Sequence, residues 1–206
     1  MARMSIRNVI FDFGGVLVRW RPQEIINSFY ADEALRDALR RLVFQHPDWI
    51  EMDRGSLDEE QAVQRFAERL GRPPQEMRAL LQHVKDSLTP LEESFAIAND
   101  LERRGVPLYG LSNMPAPTFA HLRARDPHWR VFRGIVISGE IKLIKPDRAI
   151  FDHISQRYGL LPAETVFIDD HSPNVEAAHN LGYSAILFKD PGQCAQELDT
   201  LLGRNE

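Results

Sequence analysis

The chain has 206 residues, 43% hydrophobic and 27% charged, with 25 Lys and Arg against 30 Asp and Glu for a formal net charge of −5. This is an ordinary globular composition with enough apolar surface for a buried core, and it lacks the basic excess of a nucleic-acid-binding surface. The single cysteine, Cys194, excludes an internal disulfide framework and a cysteine-rich zinc site.

The opening residues, 1–7, are too few and too polar for a signal peptide before strand-like sequence sets in. No stretch approaches the roughly 18 consecutive apolar residues of a membrane span. A cytoplasmic protein without membrane or nucleic-acid partners is therefore expected. The first element is the run N-V-I-F-D-F at 8–13, apolar but for Asn8 and Asp12 and closed by Gly14 and Gly15. An apolar run bounded by glycine predicts a buried strand. From about 22 to 88 the character changes. Leu, Ala, Arg, Glu and Gln fall in helical patterns over 22–30, 32–44, 57–70 and 74–87, and Asp58 before Glu59, Glu60 and Gln61 reads as a helix start. Further buried strands are predicted at 107–111, 134–138, 165–168 and 184–188. Helical patterns at 95–104, 149–158 and 174–181 run up to Gly105, Gly159 and Gly182. Alternating strands and helices predict an α/β fold, a doubly wound parallel sheet, interrupted by a helical insert.

In such sheets ligands sit outside the carboxyl ends of the strands. Polar clusters fall there in order: Asp12, then Ser112 and Asn113, then Lys145 with Pro146, then Asp169 and Asp170. One Asp at a strand end is more often a turn or a cap. Ser112 and Asn113 could likewise cap a helix, Lys145 could be a solvated lysine like Lys142, and Asn174 could be a helix-start asparagine. Together the clusters point to phosphoryl chemistry, in which a carboxylate nucleophile and a phosphate both need their charge neutralised. Magnesium would bridge Asp12 and the phosphate, with Asp169 and Asp170 as further hard oxygen ligands. Lys145 would offset the remaining charge, and Ser112 and Asn113 would hydrogen-bond phosphoryl oxygens. An aspartyl-phosphate on Asp12 would split one hard step into two.

The stretches F-D-F-G-G-V-L at 11–17, L-S-N at 111–113, K-P at 145–146 and F-I-D-D-H-S-P-N-V-E-A-A at 167–178 carry a resemblance. Over essentially its whole length the chain resembles the haloacid dehalogenase superfamily, in its phosphatase branch with a helical cap inserted after the first strand. Within that branch it is similar to a bacterial subgroup that includes α-D-glucose-1-phosphate phosphatases. The resemblance implies a Rossmann-like core at 1–19 and 89–206 and a helical cap at 20–88. It implies Asp12 as nucleophile, Lys145 holding nucleophile and phosphate, and Ser112 and Asn113 binding phosphate. Asp170 would bind magnesium directly, Asp169 through water, and the Gly14 carbonyl would complete the ligands. Asn174 stands where many members carry an acid that supports the metal's water shell.

One position departs from the pattern. Many family phosphatases carry a second Asp at the position of Gly14, and it protonates the leaving oxygen. Acid–base assistance of that kind contributes about 100- to 10,000-fold. His171, His46 and Asp48 are candidate replacements. The expected substrate is a small phosphorylated metabolite such as a sugar phosphate. The alternatives are a metal-independent 2-haloacid dehalogenase, which would not need two acids at the fourth strand, and a catalytically weak phosphate sensor. Arg19 and Trp20 are read as the hinge to the cap, Trp49, Met52 and Asp53 as cap core or pocket lining, and the chain as a monomer.

Overall fold

The computed structural model describes residues 6–203. Its sheet comprises β1 (Asn8–Phe11), β2 (Leu108–Ser112), β3 (Gly134–Ile137), β4 (Thr165–Asp169) and β5 (Ser184–Leu187), all parallel, in the order β3-β2-β1-β4-β5. Between β1 and β2 lie α1 (Pro22–Phe29), α2 (Glu33–Leu39), α3 (Pro47–Arg54), α4 (Glu59–Leu70), α5 (Pro74–Ser87) and α6 (Glu92–Arg103). Beyond β2 come α7 (Ala116–Arg125), α8 (Ser138–Ile141), α9 (Arg148–Tyr158), α10 (Ser172–Asn180) and α11 (Pro191–Leu201).

Both faces of the sheet are covered, which is why its strands read as nearly unbroken apolar runs. On β1, Val9 and Phe11 join one cluster and Ile10 the other; on β4, Val166 and Ile168 oppose Phe167 in the same way. The first cluster is closed by Phe95 and Leu101 of α6, Phe119 of α7 and Leu198 of α11. The second is closed by Ile150, Phe151 and Ile154 of α9 and Ala178 of α10. This is the expected doubly wound α/β architecture.

Helices α1 to α5 bury their apolar faces against one another, in a cluster that includes Ile26, Leu39, Val43, Trp49, Phe66 and Leu80. The predicted start of α4 is a full capping box, with Asp58 and Gln61 each accepting from the other's backbone N–H. Two linkers connect this insert to the sheet and pair with each other. Arg19 N donates to Thr89 O at 2.8 Å and Leu91 N to Leu17 O at 2.8 Å. Arg19 thus sits in the paired linker, while the Trp20 ring packs on both the insert's cluster and the sheet's.

The structure departs from the predicted elements in several places. The helix expected at 32–44 breaks after Leu39 into a wide π turn, Arg40–Phe44, which brings Phe44 onto Trp49 with ring centroids 4.5 Å apart. Helix α3 was not foreseen because only Trp49 and Met52 of its apolar residues are buried, too short a period to read. Helices α7 and α11 open with proline at their first or second position, where a missing N–H costs nothing. Helix α10 starts at Ser172, so Asn174 lies inside its first turn.

Candidate active site

Strand register brings the acids together. Phe11 pairs with Ile168, and Asp12 N donates to Ile168 O at 2.8 Å, so Asp12 and Asp169 emerge side by side at adjacent strand ends. Phe11 also pairs with Gly110, which sets the Leu111 carbonyl on the other flank. Parallel strands lie about 4.8 Å apart, so two carboxylates in this position repel unless a cation stands between them.

Lys145 is that cation. Its Nζ lies 2.8 Å from Asp12 Oδ1 and donates to Asp169 Oδ2 at 2.7 Å and to Leu111 O at 2.9 Å. An ammonium has three N–H bonds, and these partners use all of them. Asn113 holds the lysine in place: its Nδ2 donates to Lys145 O and its Oδ1 accepts from Lys145 N, both at 2.9 Å. Neither Ser112 nor Asn113 caps α7 with its side chain. Lys142, by contrast, is exposed.

Asp169 is fully enclosed. Beyond Lys145 it accepts from His171 N at 2.8 Å and from Asn174 Nδ2 at 3.1 and 3.0 Å. The other end of that amide, Asn174 Oδ1, is buried with no hydrogen-bond partner among the described residues. Asp170 faces the backbone of Gly15, where a Cβ would lie 2.0 Å from Asp170 Oδ2. Gly15 also has φ +76°, a left-handed conformation that suits glycine.

The charges do not balance. Burial pushes the Asp12 carboxyl up to about 7 against the pull of Lys145, with Asp169 and Asp170 adding to the rise. Asp170 is raised for the same reasons, burial first and the Asp169 charge second. Burial works against the Lys145 ammonium, but Asp12 and Asp169 outweigh it and hold it protonated. One ammonium therefore faces three acids whose carboxylate oxygens lie within 4.8 Å of one another. Hard oxygen donors, surplus negative charge and the unpartnered Asn174 Oδ1 fit a magnesium ion with part of its water shell.

These residues open onto a cavity of about 810 Å³ between the strand ends and the insert. Asp12, Gly14, Ser112, Asn113, Lys145 and Asp170 line it from the sheet side. Ser112 lines this cavity, and among the described residues its hydroxyl enters none of the side-chain hydrogen bonds that hold Lys145 and Asp169 in place. A Cβ at Gly14 would meet only the Trp20 side chain, its Cβ at 3.6 Å and its ring at 3.8 Å and beyond, so that position has room for a side chain it lacks. The insert contributes an apolar wall that includes Trp20, Ile26, Phe44, Trp49, Met52 and Leu81.

Of the candidate replacements for the missing acid, His171 lines the cavity and the other two do not. His46 caps α3 by accepting from Asp48 N. Asp48 is tied to Arg65 at 2.9 Å and to Arg69, and although burial alone would raise its pKa, those two guanidinium groups hold it below the usual carboxylate range. A cavity residue whose role sequence left open is Asp53, in the last turn of α3. It sits one turn after Trp49 in a helix too short to announce its inner face.

The sequence profile of the family described as haloacid dehalogenase-like hydrolase matches residues 6–182, spanning the sheet strands up to β4, the insert and the site. The chain belongs to the haloacid dehalogenase-like hydrolases. This haloacid dehalogenase-like hydrolase is 29% identical over 199 residues to a sesquiterpene phosphatase of Aspergillus oryzae, covering 97% of this chain and 98% of the relative. It is 26% identical over 211 residues to a D-ribitol-5-phosphate phosphatase of Bacteroides thetaiotaomicron, covering 96% and 98%. A solved structure described as a predicted HAD-like family hydrolase from Porphyromonas gingivalis superposes with a TM-score of 0.76 at 26% identity, over 98% of this chain and 99% of that one. Among the described residues, no helix is long and apolar enough to cross a membrane.

Proposed function

We propose that this hydrolase is a magnesium-dependent phosphomonoesterase that works through an aspartyl-phosphate on Asp12. The observation that carries the reading is the bridge from Lys145 to both Asp12 and Asp169, beside Asp170 and the Ser112 hydroxyl. Lys145 restrains one Asp12 oxygen and leaves the other for attack on phosphorus. Ser112, with Asn113 beside it, orients the phosphoryl oxygens, and Asn113 also positions Lys145. Asp12, Asp170, the Gly14 carbonyl and, through water, Asp169 would hold magnesium, which would supply the positive charge that one lysine cannot. Water then attacks the aspartyl-phosphate and frees Asp12.

On this reading residues 20–88 are a cap over a core of 1–19 and 89–206, and the cap excludes water and selects the alcohol. Relatives named for a sesquiterpene phosphate and for a sugar-alcohol phosphate bracket the substrate class. The aromatic and aliphatic wall favours a phosphate ester with a hydrocarbon body. A sugar phosphate, α-D-glucose 1-phosphate among them, is the second reading, favoured by Gln23, Arg40, Gln45 and Glu59 on the same wall.

A phosphate-ester panel with and without magnesium tests the reading. We expect phosphate release that needs magnesium and is abolished in Asp12→Asn, with the variant still folded by circular dichroism. Wild-type turnover by Asp12→Asn, or full dehalogenation of 2-haloacids in excess chelator with no phosphate release, would sink it.

A further inference from the structure

Gly14 leaves the leaving-group oxygen without a proton donor from the first strand, so a donor has to come from elsewhere on the cavity wall. Lys145 has every N–H engaged, and Asp169 is enclosed by its partners. Asp12 and Asp170 are committed to nucleophile and metal. The carboxyl of Asp53 is different. Asp53 lines the same cavity, and among the described residues its carboxyl makes no hydrogen bond and no ion pair.

Asp53 belongs to the insert, but its end of α3 is fastened to the core. Ser138 Oγ donates to the Asp53 carbonyl and accepts from Met114 N at 2.8 Å, two residues beyond Ser112. Arg54 Nη1 lies 3.2 Å from Asp147 Oδ2, two residues beyond Lys145. Gly55 approaches Gly139 so closely that a Cβ there would stand 2.5 Å from Gly139 O. Asp53 is therefore held against the two loops that carry Ser112 and Lys145.

We infer that Asp53, supplied by the insert, is the general acid and base that Gly14 does not provide, an assignment that rests on the phosphomonoesterase reading. As Asp12 bonds to phosphorus, the bond from phosphorus to the leaving oxygen breaks. That oxygen takes the Asp53 proton and departs as a neutral alcohol. In the second half-reaction the Asp53 carboxylate takes a proton from water as the water oxygen bonds to phosphorus. The phosphorus–oxygen bond to Asp12 breaks, phosphate leaves, and Asp53 is protonated again. Burial lifts the Asp53 carboxyl well above the usual range, the direction in which a general acid is tuned. The other charged or titratable groups on this wall are Arg40, Glu59, Asp12, Lys145, Asp170 and His171.

The test compares p-nitrophenyl phosphate, whose leaving group needs no proton, with hexyl phosphate, whose alkoxide does, using the full chain with magnesium. We expect Asp53→Asn to lose about 100-fold or more in kcat/KM on hexyl phosphate and little in kcat/KM on the aryl ester, with Asp53→Glu recovering part of the loss, because kcat/KM reports the half-reaction in which the leaving group departs. Equal losses of kcat/KM on both esters, no loss on either, or the selective loss appearing in His171→Gln instead would overturn the assignment. Should Asp53→Asn not fold, wild-type rates across aryl and alkyl phosphates decide: a shallow dependence on leaving-group pKa is expected, and a steep one overturns it. A wild type that hydrolyses neither ester at any magnesium concentration defeats the phosphatase reading itself. An active wild type with an unaffected Asp53→Asn defeats only the role of Asp53.

Discussion

Gly14 and Gly15 are adjacent, yet the structure asks different things of them. Gly15 needs its left-handed backbone and has no room for a Cβ, which would strike the Asp170 carboxylate. Gly14 has neither constraint, since its nearest neighbour would be the Trp20 Cβ at 3.6 Å. We expect Gly15→Ala to lose about 1–2 kcal/mol from backbone strain alone. Displacing Asp170 should weaken magnesium binding as well. Gly14→Ala should melt close to wild type. Urea unfolding of both variants and magnesium titration by calorimetry check this, and equal losses would mean that the Asp170 contact is not what Gly15 protects. At this scale the gathering of the candidate side chains was legible, because Asp12, Ser112, Asp169 and Asp170 stand at or next to strand ends and topology gathers strand ends, while Lys145 reaches them from the loop between α8 and α9. The partners that hold them were not. That Asn113 grips the Lys145 backbone and Asn174 the Asp169 carboxylate follows from contacts 32 and 5 residues apart in sequence, which no local pattern encodes.

Helix α3 shows what a short element needs in order to stay in place. Only Trp49 and Met52 bury apolar surface firmly in its middle, so much of its anchoring is ionic. Asp48 in its first turn accepts from Arg65 and Arg69 of α4, and Arg69 also donates to Leu42 O at 2.8 Å in the π turn. Burial alone would raise the Asp48 pKa, but the two guanidinium groups more than reverse it. A carboxyl lowered in the folded state stabilises above its ordinary value of 3.8 and loses that contribution as pH falls through the lowered value. We expect Asp48→Asn to cost about 2 kcal/mol at neutral pH, the scale of hydrogen bonds to charged groups. The gap from wild type should close only below pH 3.8. Denaturant melts at pH 7 and pH 3 measure it, and a gap that persists undiminished in acid would remove the ion pairs as the cause. The same scarcity of apolar contacts explains why α3 could not be read from periodicity, while α4, with Val63, Phe66 and Ala67 buried on one face behind a capping box, could.

Across the whole molecule, apolar packing forms separate clusters for the insert and for the two faces of the sheet. What joins insert to sheet is largely polar: two paired linkers, the Trp20 ring, the docked end of α3, and Arg125 of α7 donating to the carbonyls of Lys85, Asp86 and Leu88, around a cavity of about 810 Å³. Regions coupled through so little shared core open with separate free energies. The lone cysteine reports on one of them. Cys194 lies buried between the sheet and α11, and burial pushes its thiol up to about 12, so it reacts only when the core opens. Asp48→Asn weakens the insert and touches nothing near Cys194. We therefore expect it to raise hydrogen exchange across α3 and α4 while leaving the rate of Cys194 labelling by a thiol reagent at the wild-type value. If labelling accelerates in proportion to the lost stability, insert and sheet unfold as one unit. The insert could then not move over the strand ends as an independent body, and any closure of the cavity would have to be confined to side chains such as Trp20 and Trp49 on its wall.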